Sequence, residues 1–389
     1  MNYCGKVHEL QICDLKNTIP EIKKIIETFY EIGTVKDVKK LEIGETNGNY
    51  YLFVEKDGKD VKYFGQLFSA AKTFKDLKYE IALRNYFMET KMGMLRCALC
   101  LPTKDEGFTV KCDCIETGQT RYFCVFEFIE GITYDYDQWA FGEMDKKMID
   151  GLASGIARYH MTASGYEPPD DCGDVMISYA DELKEYRRVF TEEFEKRKTP
   201  MGENAFYDSF GKYQPRLLEL LEKYTYHYMD KKDELIHCIC HMDTSGNNYI
   251  FGDNFQPIAV CDMDWSHIMP RLFDLCWLTT QSFFHYDVET PSVSLILEDI
   301  AELLNAYDAE MEKAGNIFPG KLTALEREMF PEMFQLVAMR LGLYNILAYI
   351  MTNNPTATVE YNLYWSNCAI AEIECVEEHM DEIRQALRI

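Results

Sequence analysis

His241-Met242-Asp243-Thr244-Ser245-Gly246-Asn247-Asn248 is followed, thirteen residues later, by Cys261-Asp262-Met263-Asp264-Trp265. The first stretch reads H-x-D-x-x-x-x-N. Between the two lie a strand-like triplet, Tyr249-Ile250-Phe251, turn residues Gly252-Asp253-Asn254, and a returning strand from Pro257 to Cys261. A hairpin brings its outer ends together, so the spacing predicts Asn248 and Asp262 side by side, with Asp243 at the near end of the preceding loop. Two carboxylates and an amide oxygen in a small space suit Mg²⁺, which takes one or two protein carboxylates plus substrate phosphates. The remaining carboxylate, Asp243, can orient a hydroxyl and take its proton. That is the donor set of a phosphoryl-transfer site. The alternative is a polar loop beside an ordinary β-hairpin.

Composition bounds the rest. The chain has 389 residues, enough for two lobes, and 47% are hydrophobic. Acidic residues number 65 against 40 basic, a net charge of −25. Such a surface repels nucleic acid and anionic membranes and favours a cationic small molecule as partner, although acidity also serves solubility alone. No apolar run reaches the length of a membrane span. The segment Met1-Asn2-Tyr3-Cys4-Gly5 has neither a basic nor an apolar signal region. With fourteen Cys, this predicts reduced thiols and a cytoplasmic protein. Cys97, Cys100, Cys112 and Cys114 have spacings open to a zinc site or to buried free thiols.

The pair of motifs resembles the aminoglycoside phosphotransferase and choline kinase superfamily of small-molecule kinases. Its catalytic loop usually reads H-G-D-x-x-x-x-N, and its metal motif is an I-D-[FW] after a hairpin. Met242 stands where that family usually has Gly, and Val260-Cys261-Asp262-Met263 forms the second motif. Asp274, in Arg271-Leu272-Phe273-Asp274, matches a further family Asp expected to hold the catalytic loop. The resemblance covers about 41–280. It implies an α+β, two-lobed protein-kinase-like fold, with an antiparallel β N-lobe (1–130) and a mostly helical C-lobe (131–389).

Earlier in the chain, 14–31 has helical periodicity and 36–43 reads as a strand. Gly44-Glu45-Thr46-Asn47-Gly48-Asn49-Tyr50 is a glycine-containing turn between strands, the build of a nucleotide lid, because backbone N–H groups approach phosphates where no Cβ intervenes. By resemblance, Gly44, Thr46 and Asn47 cover the triphosphate. The next strand departs from the family. A phosphate-contacting Lys or Arg is expected there, but Gln66 occupies the position, with Glu80 as its helical partner. Gln offers a hydrogen bond without charge, and charge-assisted bonds are roughly twice as strong. Lys62, Lys72 and Lys75 are candidate replacements.

Residues 76–91 read as a helix with Leu77, Ile81, Leu83 and Phe87 inward, followed by strands at 94–101, 108–116 and 120–128. By resemblance, Glu127 to Ile129 is the hinge whose backbone reads the nucleotide base. From 144 the pattern is helical, with His160 expected as a packed structural residue. Helices are expected at 178–197, 203–229, 292–315, 322–353 and 357–388, with Pro331 marking a start or kink. Trp265, Trp277, Tyr344 and Trp365 are available to wall an acceptor, or are simply core.

The sequence therefore predicts transfer of the γ-phosphate of ATP or GTP, with Mg²⁺, to a hydroxyl of a small molecule. Asp243 is the base, Asn248 and Asp262 the metal ligands. The rival is a nucleotide-binding or scaffold pseudokinase, which Gln66 favours. A protein-directed kinase is disfavoured because only eleven residues separate Asp262 from Asp274.

Overall fold

A computed structural model describes residues 8–12, 19–41, 47–90, 94–115, 118–134, 144–170, 172, 178–287, 292–315, 317–342, 344–352 and 358–387. It divides into two compact units. One comprises Met1–Gly131, Gly165–Asp174 and Ala259–Asp264. The other comprises Ile132–Ser164, Val175–Ile258 and Trp265–Ile389.

The first unit is built on a six-stranded sheet. Its strands are β1 (His8–Ile12), β2 (Thr34–Leu41), β3 (Gly48–Lys56), β4 (Lys59–Leu67), β6 (Val110–Cys114) and β7 (Thr120–Glu127), in the order β1-β6-β7-β4-β3-β2. All neighbours are antiparallel except β1 and β6, which run parallel. Asp57 and Gly58, both at positive φ, make the tight turn between β3 and β4. Such a turn matches the right-handed strand twist and explains the Asp-Gly pair. Helix α1 (Ile19–Phe29) packs Ile22, Ile25 and Ile26 on one face of the sheet, against Leu52, Val54, Phe123 and Val125. Helix α2 (Phe74–Glu89) covers the other face with Leu77 and Ile81 against Cys124 and Phe126. The run Phe123-Cys124-Val125-Phe126 is unbroken apolar because its alternate residues fall on two buried faces. Each fully buried side chain of this size contributes about 1.5–3 kcal/mol.

Thr73 caps α2 and forms a reciprocal capping box with Asp76. The expected strand at 94–101 shrinks to β5 (Arg96–Cys97). Ala259 and Val260, at the end of β10 (Pro257–Val260), pair parallel with it.

The second unit is mostly helical. It holds α3 (Lys146–Thr162), α4 (Tyr179–Arg188), α5 (Phe194–Arg197), α6 (Ala205–Lys231), α7 (Leu272–Ser282), α8 (Leu297–Lys313), α9 (Ala324–Gly342), α10 (Tyr344–Thr352), α11 (Val359–Glu378) and α12 (Met380–Ala386). A π-helical turn over Val189–Glu193 joins α4 to α5. Strand β8 (His237–Cys240) leads into the His241–Asn248 loop and pairs antiparallel with β11 (His267–Pro270). The loop leaves through β9 (Tyr249–Phe251).

One expectation changes here. The stretch expected as one helix from 292 begins as a strand, Ser292–Leu295, paired with Phe284–Asp287. Ser292, Val293 and Ser294 alternate too shortly for a helix to win before Leu297. The helix expected over 322–353 is described as α9 and α10 on either side of residue 343, which lies outside the described residues, and Pro331 lies inside α9 without ending it. Among the described residues no helix is long and apolar enough to cross a membrane.

Two glycines of α3 set how closely the hairpin after the loop can approach. A Cβ on Gly151 would lie 2.3 Å from the main-chain oxygen of Phe255, and one on Gly155 would lie 2.8 Å from the Tyr249 ring. A main-chain atom moves only with its strand, so the first contact is the costlier. Gly151→Ala is expected to lower stability by about 1–3 kcal/mol, the cost of overpacking. Urea unfolding should show a reduced midpoint at unchanged slope.

Candidate functional site

The loop from His241 to Asn248 is held by one side chain. Asp274, fully buried in the first turn of α7, accepts the main-chain N–H of His241 on Oδ2 and that of Met242 on Oδ1, each at 2.8 Å. Its own carbonyl accepts the Thr244 hydroxyl at 2.7 Å. His160 of α3 meets Asp274 Oδ2 through Nε2 at 3.0 Å and the Tyr307 hydroxyl through Nδ1 at 2.9 Å. Burial alone lowers the His160 pKa. Cys238, Tyr307 and the Asp274 carboxylate around it reverse that and raise it well above its ordinary value. His160 is therefore a buried structural bridge between Asp274 and Tyr307.

Asp243 and Asn248 come together in this unit. Asn248 Nδ2 donates to the Asp243 main-chain oxygen at 2.8 Å and to Asp243 Oδ2 at 2.9 Å. That bonding orients the amide with Oδ1 as its acceptor oxygen, a hard ligand of the type Mg²⁺ takes. The main-chain N–H of Asp243 points at His241 Nδ1, 3.3 Å away, so the His241 ring carries its proton on Nε2. His241 is fully buried against the Tyr159 ring. It orients the loop, as the resemblance implies.

The other predicted residues lie in the first unit. Gly44 and Thr46 fall outside the described residues. Asn47 accepts the Ser69 main-chain N–H on Oδ1 at 2.9 Å, which ties the turn before β3 to the end of β4. Gln66 is buried on β4, between Asn49 and Cys124 in register. Glu80 is fully buried in α2. Arg84 grips its Oε1 twice, from Nε at 3.0 Å and Nη2 at 2.8 Å. The cation on its other oxygen is Lys72, with Nζ 3.2 Å from Oε2. Burial raises the Glu80 pKa, but Lys72 and Arg84 together outweigh it and hold the carboxylate below its ordinary value.

Lys72 also donates to the Asp264 main-chain oxygen at 3.0 Å and lies 3.9 Å from Asp264 Oδ2. Asp264 was missed in the sequence, although the repeated acid in Asp262-Met263-Asp264 was its signal. Asp262 itself adopts φ +51°. Of the other candidate cations, Lys62 is seated on the Tyr51 and Phe128 rings at 3.6 and 3.9 Å, and Lys75 is exposed. The Glu127 N–H is engaged by the Leu99 carbonyl at 2.9 Å, so a base-reading role there falls to other backbone groups of Glu127 to Ile129.

The zinc alternative does not hold. Cys97, Cys100 and Cys112 donate separately to the carbonyls of Arg84, Phe108 and Val110. Burial pushes Cys97 and Cys112 up to about 12, away from the thiolate a metal needs. Among the described residues, the metal-type group within 4.8 Å is His160, Cys238 and Cys240. Both ring nitrogens of His160 are already committed there.

The sequence model of the APH phosphotransferase enzyme family matches residues 37–312. This chain belongs to that family. Phosphotransfer is the activity class its membership carries. Among solved structures similar to this phosphotransferase is the amicoumacin kinase hAmiN in complex with AMP-PNP, Ca²⁺ and Ami. It is 13% identical, 93% of each chain is covered, and the TM-score is 0.61. Spectinomycin phosphotransferase APH(9)-Ia, in complex with ADP and spectinomycin, is 11% identical over 92% of this chain and 98% of that one, with TM-score 0.57. Choline kinase from Cryptosporidium parvum Iowa II is 14% identical over 95% and 97%, also at 0.57. No curated protein matches the chain by sequence. At these identities the likeness establishes the fold: α+β and kinase-like, with an antiparallel β region first and a helical region after.

Two outcomes follow for this phosphotransferase. Asp274→Ala leaves two buried N–H groups and His160 without their acceptor, and should cost about 3–5 kcal/mol in urea unfolding. Glu80 has a folded pKa below its ordinary 4.5. Its stabilising contribution is therefore complete above that pH and lost as pH falls through the folded value. Glu80→Gln should lower stability by about 3–5 kcal/mol at pH 7. The gap from wild type should close in acid, read by unfolding midpoints between pH 7 and 3.

Proposed function

We propose that this phosphotransferase moves the γ-phosphate of a nucleoside triphosphate to a hydroxyl of a small molecule. The observation that carries the reading is the Asp243–Asn248 pair, held in a loop that Asp274 fixes through two main-chain bonds. Asp243 orients the acceptor hydroxyl and takes its proton. Asn248 Oδ1 and the Asp262 carboxylate would hold Mg²⁺. Their hard oxygens fit that ion, which bridges phosphates and neutralises charge developing in transfer. The turn at Gly44, Thr46 and Asn47 covers the phosphates. The Glu127 carbonyl and Ile129 N–H read the base. In this division of labour residues 1–130 form the nucleotide lobe and 131–389 the acceptor lobe.

The nucleotide finds support in the amicoumacin and spectinomycin kinases, solved with AMP-PNP and with ADP. The acceptor class finds support in the range those relatives' names span, from spectinomycin to choline. Within it, the net charge of −25 favours an amine-bearing acceptor. The rival reading, a nucleotide-binding or scaffold protein without turnover, rests on the uncharged Gln66.

The test pairs binding with turnover. Wild type should gain about 2.7 kcal/mol of stability at one hundred times the Kd of Mg·ATP or Mg·GTP, seen as a Tm rise that chelation abolishes. Asp262→Asn should lose the Mg²⁺-dependent part. Asp243→Asn should keep the Tm rise but lose about 10²–10⁴-fold in kcat on whichever of choline, ethanolamine, homoserine, a sugar or an aminoglycoside is phosphorylated. A nucleotide-dependent Tm rise with no transfer to any of them would put the rival reading ahead.

A further inference from the structure

Lys72 is, like Lys78 of α2, one of the largely buried lysines of the first unit. It lies in the short connection between β4 and α2, yet its side chain is only 10% exposed. Its ammonium sits between Glu80 Oε2 at 3.2 Å, the Asp264 main-chain oxygen at 3.0 Å and Asp264 Oδ2 at 3.9 Å. Taking an ammonium out of water is costly unless its surroundings use the charge. Glu80 does not need it for neutrality, because Arg84 already binds that carboxylate through two bonds. Lys72 thus supplies a second cation to a carboxylate already paired. It does so while fixed to a residue two positions from Asp262. The same few residues therefore hold a hard carboxylate and a desolvated ammonium.

We propose that Lys72 is the cation that binds the nucleotide's phosphates, in place of the basic residue absent at Gln66. This rests on the phosphotransferase reading above and adds the residue that reading lacks. Glu80 and Asp264 orient the ammonium. Its three donors exceed what one carboxylate oxygen and one carbonyl consume, so a further N–H remains for a phosphate oxygen. A phosphate there gains a charge-assisted bond that the Gln66 amide cannot make. Lys62 cannot supply it, because the Tyr51 and Phe128 rings hold its ammonium.

The experiment uses the full chain with Mg·ATP and Mg·GTP as probes. It measures Kd by calorimetry, and the steady-state kcat and KM of nucleotide hydrolysis, in wild type, Lys72→Met, Gln66→Lys and the double variant Gln66→Lys/Lys72→Met. Lys72→Met should weaken nucleotide binding about 10- to 100-fold, the worth of a charged hydrogen bond. The double variant should recover much of that loss, because it returns a cation to β4. A purely structural role for Lys72 would lower Tm in Lys72→Met without changing Kd in the folded protein, and Gln66→Lys would then rescue nothing. Either result overturns the proposal. Should Lys72→Met fail to fold, Lys72→Arg keeps the ion pair with Glu80 but spreads the charge over a planar fork. It should then raise the KM for nucleotide while Tm stays near wild type, and unchanged kinetics would overturn the proposal. Wild type that binds neither nucleotide overturns the phosphotransferase reading and this inference together. Wild type that binds while Lys72→Met binds equally well overturns the inference alone.

Discussion

The Asp274 carboxylate is the constraint on which the second unit's chemistry depends. A loop of eight residues has no ladder of its own to hold it, and its buried N–H groups need acceptors. One carboxylate supplies two of them, at His241 and Met242, and its main chain supplies a third contact at Thr244. A buried charge with so many donors around it is compensated, whereas the same charge with one donor would be a liability. His160 completes the set from a different helix. Asp243 and Asn248 can then meet with little left to order, because the chain on both sides of Asp243 is already fixed. Preorganisation of this kind is what a transfer reaction uses, since its catalysis is mainly positioning and electrostatics.

The first unit poses a complementary problem. Its helix α2 carries Lys78, Glu80, Arg84 and Asn85 among its buried residues. A helix packed on a sheet normally turns such residues outward. Here a charged group runs inward from Lys72 through Glu80 to Arg84, and each ion has at least one partner within 3.2 Å. Such networks contribute little net stability, because desolvation offsets most of the Coulomb gain. What they contribute is a fixed geometry. Glu80 can adopt only an arrangement that satisfies both cations, and Lys72 is thereby anchored to the chain at Asp264.

Much of this was legible in the sequence. The H-x-D-x-x-x-x-N spacing, the hairpin residues after it and Asp274 are local patterns whose chemistry follows from residue type. The buried run of β7 and the inward face of α2 are periodicities. What was not legible has physical reasons. Lys72 was one of three candidate lysines, and strand spacing could not choose among them because a connection separates it from β4. Only the path of residues 68–72 brings its ammonium to Glu80. The parallel pairing of β1 with β6 joins segments about a hundred residues apart. Among the four clustered cysteines, the spacing was metal-like, yet three of the thiols found carbonyl acceptors on separate elements. The paired strands 284–287 and 292–295 were hidden because short alternation next to a strong helix reads as the helix's first turn.

Backbone strain explains one further departure from the family. Met242 adopts φ +65°, in the left-handed region where Gly is at ease and another residue loses about 1–2 kcal/mol. The family motif that the loop resembles has Gly there, which fits the conformation directly. In this chain the Met side chain is 1% exposed, and burying such a side chain returns about 1.5–3 kcal/mol. The two terms are similar in size and opposite in sign, so the substitution trades conformational ease for packing. The trade is possible only because Asp274 Oδ1 holds the Met242 N–H and so fixes the strained conformation from outside. Asp262, also at positive φ, needs less such support, since Asp tolerates that region better than Met. Strain of this kind persists where the surroundings over-determine it. At Met242 those surroundings are the bonds from Asp274 that also fix the loop carrying Asp243.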